Sequence, residues 1–210
     1  MKLSERPGMH QGVFKAHRRC AFFFSGSGLL RIGAPADCPL TMQQPQPTSH
    51  LSAHFAAVMP VPFGSIGIRT DAGVLVELVY LPPHFPAKSP ADALAAKTIR
   101  QIGRYLEDPQ TRFELPLADV GSVFQKRVWQ AIDEIPVGRV LTYGDIARRI
   151  GSAPRAVGQA CGANWFALLV PCHRVTAAGG LGGFSAHDDV EHFHLDVKRW
   201  LLRHEGVQGY

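Results

Sequence analysis

The chain lacks any uninterrupted apolar run long enough to cross a bilayer, so we do not expect it to span a membrane. Residues 20–24 follow basic residues and faintly resemble the apolar core of a signal peptide. Residues 25–28 and then Arg31 interrupt that core early, and we therefore do not expect export. The four cysteines include no CxxC pair, which favours a reducing cytoplasm over a disulfide scaffold.

The sequence also lacks the pattern of a phosphate-binding loop and that of a metal site. The glycine-rich residues 179–183 lack the Gly-Lys-Ser/Thr ending of a phosphate-binding loop, and we interpret them as a flexible pocket rim. Residues 187–194 contain three histidines among acidic residues, but nothing in the pattern imposes a ligand geometry. We therefore predict a solvated polar loop there and no metal site.

The net charge of the chain is positive. The formal net charge is +5 and the sequence pI is about 9.2, which permits a polyanionic partner. Residues 1–50 and 120–210 are net basic, whereas residues 51–119 are slightly acidic. A cluster upstream of Cys172 has only Asp145 as a countercharge, and it comprises Arg139, Arg148, Arg149 and Arg155.

Residues 1–50 show no regular hydrophobic pattern and mix basic residues with Gly, Pro and Gln. We expect a poorly ordered extension there. One hypothesis is that translation naturally starts nearer Met42 or Met59, in which case trimming to Met42 leaves folding and activity intact.

The next part reads as a small α/β unit over residues 55–118. Residues 63–68 and 73–80 predict two strands of a hairpin, with residues 70–73 as the turn. A helix is predicted from about Asp92 to Leu106, because apolar residues recur at helical spacing, and Asp108-Pro109 ends it. This half shows no catalytic constellation of its own.

A second region begins near residue 120. Ser122 is placed to cap a first helix. Thr142, with Asp145 three residues later, is placed to open a second helix that ends at Gly151. Pro154 suits the first turn of a third helix. Short helices joined by a tight turn favour a helix-turn-helix, and an ordinary helical hairpin is the alternative.

The third helix is unusually rich in small residues over 155–164. Each internal glycine costs roughly 1 kcal/mol relative to alanine, so their accumulation indicates close approach to another surface. With Arg155 projecting near its N-terminus, the helix suits the minor groove of DNA. Tight packing against another helix explains the small residues equally well.

Cys172 and His173 are adjacent and follow an apolar run, residues 166–170. The run is interpreted as a buried element that delivers Cys172 to a pocket wall, and Pro171 predicts a break there. On a strand the two side chains would point to opposite faces, so a bridging water is easier than direct contact. A small buried thiol beside an ordinary histidine is the plainer alternative.

Three segments together resemble the O6-alkylguanine-DNA alkyltransferases, the methylated-DNA–protein-cysteine methyltransferases. They are Pro171-Cys172-His173-Arg174-Val175, residues 155–158 with Asn164, and residues 200–206. The resemblance covers about residues 122–206. It implies an α+β protein in which a ribonuclease-H-like α/β domain (55–118) precedes a helical, winged-helix-like DNA-binding domain (120–207). Residues 1–50 lie outside it.

The resemblance also implies roles for individual residues. Cys172 accepts the alkyl group, His173 acts as a base through water, Glu205 orients His173, and Asn164 braces the turn. Further roles are DNA contacts by Arg155, Tyr143, Ala156, Gly158 and Gln125, with Arg155 filling the gap left by a flipped nucleotide. The base pocket is lined by Tyr143, Val175, Ser185 and Trp165. Trp165 and Ala167 stand where the family usually has proline, a difference that concerns pocket shape.

The chemistry implied is a single-turnover transfer of an alkyl group, such as methyl, from the 6-oxygen of guanine to Cys172. Transfer from the 4-oxygen of thymine is expected as well. A thiolate is the nucleophile, and the lesion must be flipped out of the duplex. No cofactor is needed. The expected partner is double-stranded DNA carrying alkylated guanine, bound by a monomer in a bacterial cytoplasm near the nucleoid.

Three other interpretations stay open at this point. A non-catalytic relative would bind alkylated DNA and flag it for excision repair, but such relatives lack the acceptor cysteine. A cysteine hydrolase would leave the basic helix unexplained. A transcription regulator would leave Cys172, His173 and Glu205 without a role.

Overall fold

The computed structural model describes residues 54–183 and 193–210. The expectations for residues 1–50, including a start near Met42, lie outside these residues. Ser185 and most of the histidine-rich segment also lie outside them. Among the residues that the structure describes, no helix combines the length and apolar character needed to cross a membrane.

The N-terminal part is an antiparallel sheet of three strands, β1 (Ala57–Val61), β2 (Gly64–Asp71) and β3 (Val74–Leu81), in that order. The predicted hairpin is confirmed as β2–β3. Its turn is Ala72-Gly73, with φ of 45° and 81°, and two positive φ angles are typical of the tight turn that suits twisted strands. Strand β1 is not predicted by the pattern, because it contains Pro60. The sheet tolerates Pro60 because β1 is an edge strand.

One helix, α1 (Ala93–Glu107), packs on this sheet, and the prediction of a helix from Asp92 to Leu106 is confirmed. The Asp92 side chain accepts a hydrogen bond of 2.8 Å from the Ala95 amide and so caps the first turn. The buried side of α1 includes Ile102 and Tyr105.

The C-terminal part is helical, with α2 (Val123–Asp133), α3 (Tyr143–Ile150), α4 (Pro154–Gly162) and α5 (Phe193–His204). A 3₁₀ helix (Cys172–Arg174) precedes a short strand, β5 (Val175–Thr176), which pairs in parallel with β4 (Leu141–Thr142). Helix α5 ends at His204, directly before Glu205.

The predicted helix starts are confirmed by their caps. Ser122 and Gln125 form a reciprocal capping box at α2, and Thr142 and Asp145 form another at α3. Gly151 ends α3 with φ of 63°, a left-handed conformation that glycine adopts without strain. Helices α3 and α4 are therefore joined by the tight, glycine-containing turn 151–153 as predicted, and the helix-turn-helix itself stays a prediction.

Residues 166–170, the predicted buried element, are buried in part and do not form a strand. They form turns, and a single parallel bridge joins Phe166 to Leu78 of β3. Leu168 has φ of 72°, which bends the chain before Pro171. The Leu78 amide donates to the Trp165 carbonyl at 2.8 Å, and the Leu78 carbonyl accepts from the Ala167 amide at 3.2 Å.

The described residues share one core. A single cluster of buried side chains includes Ile66 and Leu78 from the sheet, Ile102 from α1, and Ile132 and Leu201 from the helical part. The boundaries predicted between domains, 55–118 and 120–207, stay a prediction.

Candidate active site

Cys172 begins the 3₁₀ helix and is 6% exposed. The side-chain amide nitrogen of Asn164, Nδ2, donates to the Cys172 Sγ at 3.3 Å and to the Val170 carbonyl at 2.9 Å. The Asn164 Oδ1 accepts from the Phe166 amide at 2.9 Å. One side chain therefore holds both the turn and the sulfur. Burial raises the pKa of the Cys172 thiol, and the Asn164 and Lys198 contacts only partly oppose this.

His173 is completely buried and lies against Glu205, with 2.9 Å between Nε2 and Oε1. Burial alone would raise the pKa of Glu205, but hydrogen bonds from His173 and Arg174 outweigh it and hold that pKa well below its ordinary value. An ionised carboxylate can only accept, so the proton lies on His173 Nε2. The neutral ring then has its lone pair on Nδ1, which has no hydrogen-bond partner among the described residues.

Burial lowers the pKa of His173, and this outweighs the opposing effect of Glu205. The resting site therefore contains a neutral imidazole and a protonated thiol. No hydrogen bond between Cys172 and His173 is present in the described structure. The arrangement agrees with a base that acts through an intervening water rather than by direct contact.

Glu205 has two further partners that the sequence reasoning missed. Arg174 donates from Nε to Oε2 at 2.8 Å and from Nη2 to Oε1 at 2.9 Å. Tyr105 of α1 donates from its hydroxyl to Oε1 at 2.8 Å. Arg174 stands within the cysteine motif and could have been found there. Tyr105 is 100 residues away from Glu205 in sequence, and no local pattern indicates the contact.

Lys198 is a third residue that was missed. It is fully buried, and its ammonium donates to the carbonyls of Val175 and Leu181 at 2.7 Å and of Gly183 at 3.3 Å. The signal was a lysine three and four residues before Leu201 and Leu202, on the apolar face of α5. Burial lowers the pKa of Lys198 to about 8. The Lys198 ammonium thus holds the described part of the glycine-rich rim through hydrogen bonds to its carbonyls.

The structure brings part of the predicted base pocket together around this lysine. The Tyr143 hydroxyl donates to the Gly183 carbonyl at 3.0 Å, and Lys198 Nζ lies 5.9 Å from the centre of the Tyr143 ring. Val175 is buried beside them. Trp165 is half-buried, and its carbonyl accepts from the Leu78 amide. Ser185 lies outside the described residues.

Cys172 also borders a cavity of about 260 Å³ between β3 and the end of α4. Tyr80, Asn164 and Cys161 line it as well. Within the described residues no three His, Cys, Asp or Glu side chains are close enough to hold a metal ion. The side chains around Cys172 are suited to proton transfer and thiol chemistry.

The other predicted DNA-contacting residues, besides Tyr143, lie on α4 and α2. Arg155 is exposed near the N-terminus of α4, and Ala156 and Gly158 are partly exposed. A Cβ at Gly158 would meet no atom within 4 Å, so this glycine does not serve close packing against another helix. The Gln125 side chain accepts from the Ser122 amide and is therefore engaged in the α2 capping box.

The comparisons with known proteins concern the family of the chain. The family model described as "6-O-methylguanine DNA methyltransferase, DNA binding domain" matches residues 123–207. The methylated-DNA–protein-cysteine methyltransferase of Methanosarcina acetivorans is 44% identical over 110 residues, which are 51% of this chain and 66% of that protein. The enzyme of the same name from Methanosarcina mazei is 37% identical over 156 residues, which are 70% of this chain and 94% of the relative.

Among solved structures, the Mycobacterium tuberculosis O6-methylguanine methyltransferase is 32% identical with a TM-score of 0.58, and the match covers 70% of this chain and 90% of that one. The same organism's OGT in complex with DNA is 34% identical with a TM-score of 0.59, over 71% of this chain and 91% of that one. Each of these matches covers more of the chain than residues 120–210 alone. The chain belongs to the methylated-DNA–protein-cysteine methyltransferase family.

Proposed function

We propose that this chain is a DNA repair protein that moves the alkyl group from the 6-oxygen of guanine in DNA to Cys172 Sγ. We extend the proposal to the 4-oxygen of thymine. The observation that carries it is the buried carboxylate–imidazole pair, Glu205 and His173, behind a buried thiol that Asn164 contacts. The family relationship supplies the substrate class.

The transfer is one displacement. The sulfur–carbon bond forms as the carbon–oxygen bond of the lesion breaks, and that electron pair stays on the base. The Cys172 proton leaves toward His173 Nδ1 through water, and a proton finally resides on the restored guanine. Glu205 stabilises the imidazolium that forms transiently. A thioether has no easy route back to a thiol, so each molecule reacts once.

The DNA-binding face in this proposal is the exposed side of α4. Its small residues, Ala156 and Gly158, let the helix approach the minor groove, and Arg155 enters the base stack in place of the flipped nucleotide. The M. tuberculosis relative solved in complex with DNA supports DNA binding. Tyr143 and Val175 line the base pocket.

Finer features of the proposal follow from family membership. We infer a ribonuclease-H-like N-terminal part, a winged-helix-like C-terminal part, a monomer that binds double-stranded DNA, and action in the cytoplasm. A reducing compartment keeps the Cys172 thiol available.

The decisive experiment mixes the full chain with a duplex containing one O6-methylguanine and maps the protein by mass spectrometry. We expect one methyl group on the Cys172 peptide and a stoichiometric end point. Cys172→Ala should accept none, whereas the matched control Cys161→Ser, which loses the other free thiol of the described chain, should react normally.

Other outcomes would contradict the proposal. Tight binding to the lesion without transfer would indicate a protein that flags damage for excision repair. Repeated turnover on an ester would indicate a hydrolase. Sequence-specific binding to undamaged DNA without transfer would indicate a regulator.

A further inference from the structure

The side chain of Tyr105 in α1 contacts Glu205 of the His173–Glu205 pair, although α1 precedes the range matched by the family model. Tyr105 is 2% exposed. Its ring packs edge-on against His204, with 5.2 Å between ring centres, and contacts Phe113 at 5.7 Å. His204 Nε2 lies 2.8 Å from the Tyr105 carbonyl. The ring and its backbone are therefore both held in place.

The hydroxyl of Tyr105 completes the hydrogen bonding of Glu205. Oε1 accepts from Tyr105, His173 and Arg174, and Oε2 accepts from Arg174. A carboxylate offers about four lone-pair sites, and four donors reach this one, three at Oε1 and one at Oε2. Burial raises the pKa of Tyr105 well above its ordinary value, so its hydroxyl stays a neutral donor.

We propose that Tyr105 is a positioning residue for the alkyl transfer: its hydroxyl holds the Glu205 carboxylate so that His173 keeps its proton on Nε2 and its lone pair on Nδ1. The inference rests on the proposed function. It assigns to the N-terminal part a direct share in the reaction at Cys172, beyond that of a scaffold.

The Tyr105 hydroxyl does more than fill space in the core, because it donates to the same Glu205 oxygen, Oε1, as His173. Donation from Tyr105 withdraws charge from Oε1, so Glu205 stabilises the positive charge of a protonated His173 less strongly. Without the hydroxyl, Glu205 would hold a protonated His173 more firmly, and the ring would protonate at a higher pH. A protonated ring cannot accept the thiol proton. On acidification, activity would therefore begin to fall at a higher pH than in the natural chain.

Other polar and charged groups around the His173–Glu205 pair also influence the protonation of His173. Tyr80 from β3, Cys172 and Arg174 from the 3₁₀ helix, and Lys198 from α5 face the His173–Glu205 pair. Arg174 and Lys198 favour the neutral ring, and Glu205 favours the protonated one. The substitution Tyr105→Phe leaves all of these charges in place.

The test measures single-turnover methyl transfer from an O6-methylguanine duplex over the pH range in which histidine titrates. For Tyr105→Phe we expect a rate about fivefold to tenfold lower at neutral pH, the usual worth of one hydrogen bond. The acid limb of its profile should move to higher pH, and DNA affinity should match that of the natural chain. Nitrogen NMR of the His173 ring, recorded without DNA, should show the same shift.

The matched control is Thr98→Val, which removes another fully buried hydroxyl from α1. Thr98 donates only to the Leu94 carbonyl, at 2.8 Å, and does not touch Glu205. It should lose similar stability but keep the transfer rate and the acid limb.

An unchanged rate and acid limb in Tyr105→Phe would overturn the proposal, as would an equal loss in Thr98→Val or a loss confined to DNA affinity. If the natural chain itself transfers no methyl group, the proposed function fails instead. The two failures are therefore distinguishable.

Discussion

Replacing Arg174 with methionine removes the charged partner of a fully buried carboxylate. The Arg174 side chain is 11% exposed and that of Glu205 is 0% exposed. Methionine keeps most of the apolar stem but none of the three hydrogen bonds, which reach Glu205 twice and the Ile135 carbonyl at 2.6 Å. Among the described residues, Oε2 of Glu205 then has no remaining donor.

The expected cost is large because a buried charge is left uncompensated. Breaking such a pair by removing one partner costs about 3–5 kcal/mol. A domain of this size has roughly 5–15 kcal/mol of stability in total, and each kcal/mol lowers Tm by about 2–4 °C. We therefore expect Arg174→Met to lower Tm by on the order of 10 °C and to slow alkyl transfer, since Glu205 orients His173.

The pH dependence carries a definite sign. In the natural chain the pKa of Glu205 lies below its ordinary value of 4.5, so its stabilisation is present above pH 4.5 and is lost as the pH falls further. In Arg174→Met, burial raises this pKa with less opposition. The variant's carboxyl then takes up a proton first on acidification. The stability gap between the two chains should therefore narrow as the pH falls toward 4.5.

Urea unfolding at neutral and mildly acidic pH measures both effects. Arg112→Met, at an exposed arginine, is the control for loss of a positive charge and should cost little. The double variant Arg174→Met/Glu205→Gln should be more stable than Arg174→Met, because it leaves no lone buried charge. A loss below about 1 kcal/mol in Arg174→Met, the value of a surface pair, would refute the reasoning.

Two further predictions concern the DNA face and the rim. Arg155→Ala should slow reaction with duplex DNA by about tenfold, because extrusion of a base costs a few kcal/mol. Reaction with a free alkylated base should be retained. Equal losses on both substrates would contradict the proposal that Arg155 fills the gap left by the flipped nucleotide. Lys198 has a lowered pKa of about 8 against an ordinary 10.5, so the unfolded chain binds its proton more tightly between these values. The stability of the natural chain relative to Lys198→Met should therefore rise by about 3 kcal/mol across this pH window, as measured by urea unfolding, and a constant difference would argue against a buried, charged Lys198.

The local structure was predictable because its causes are local. The caps at Asp92, Ser122 and Thr142 act within three residues, and the left-handed end at Gly151 depends on one residue. The β2–β3 hairpin follows from a two-residue turn between apolar runs. The cysteine motif, read together with the arginine helix and Glu205, was enough to indicate the chemistry.

What the sequence alone determined is therefore the helices, the hairpin and the family, and with the family the prediction of which residues react. Tertiary structure alone decided how they meet. Residues 166–170, predicted as a buried element, form turns and pair with β3 at only one point. Tyr105 and Lys198 reach the site through hydrogen bonds to groups 100 and up to 23 residues away. No periodicity encodes such contacts, because a helix position specifies only that a side chain faces the core, and packing decides which buried acceptor it meets.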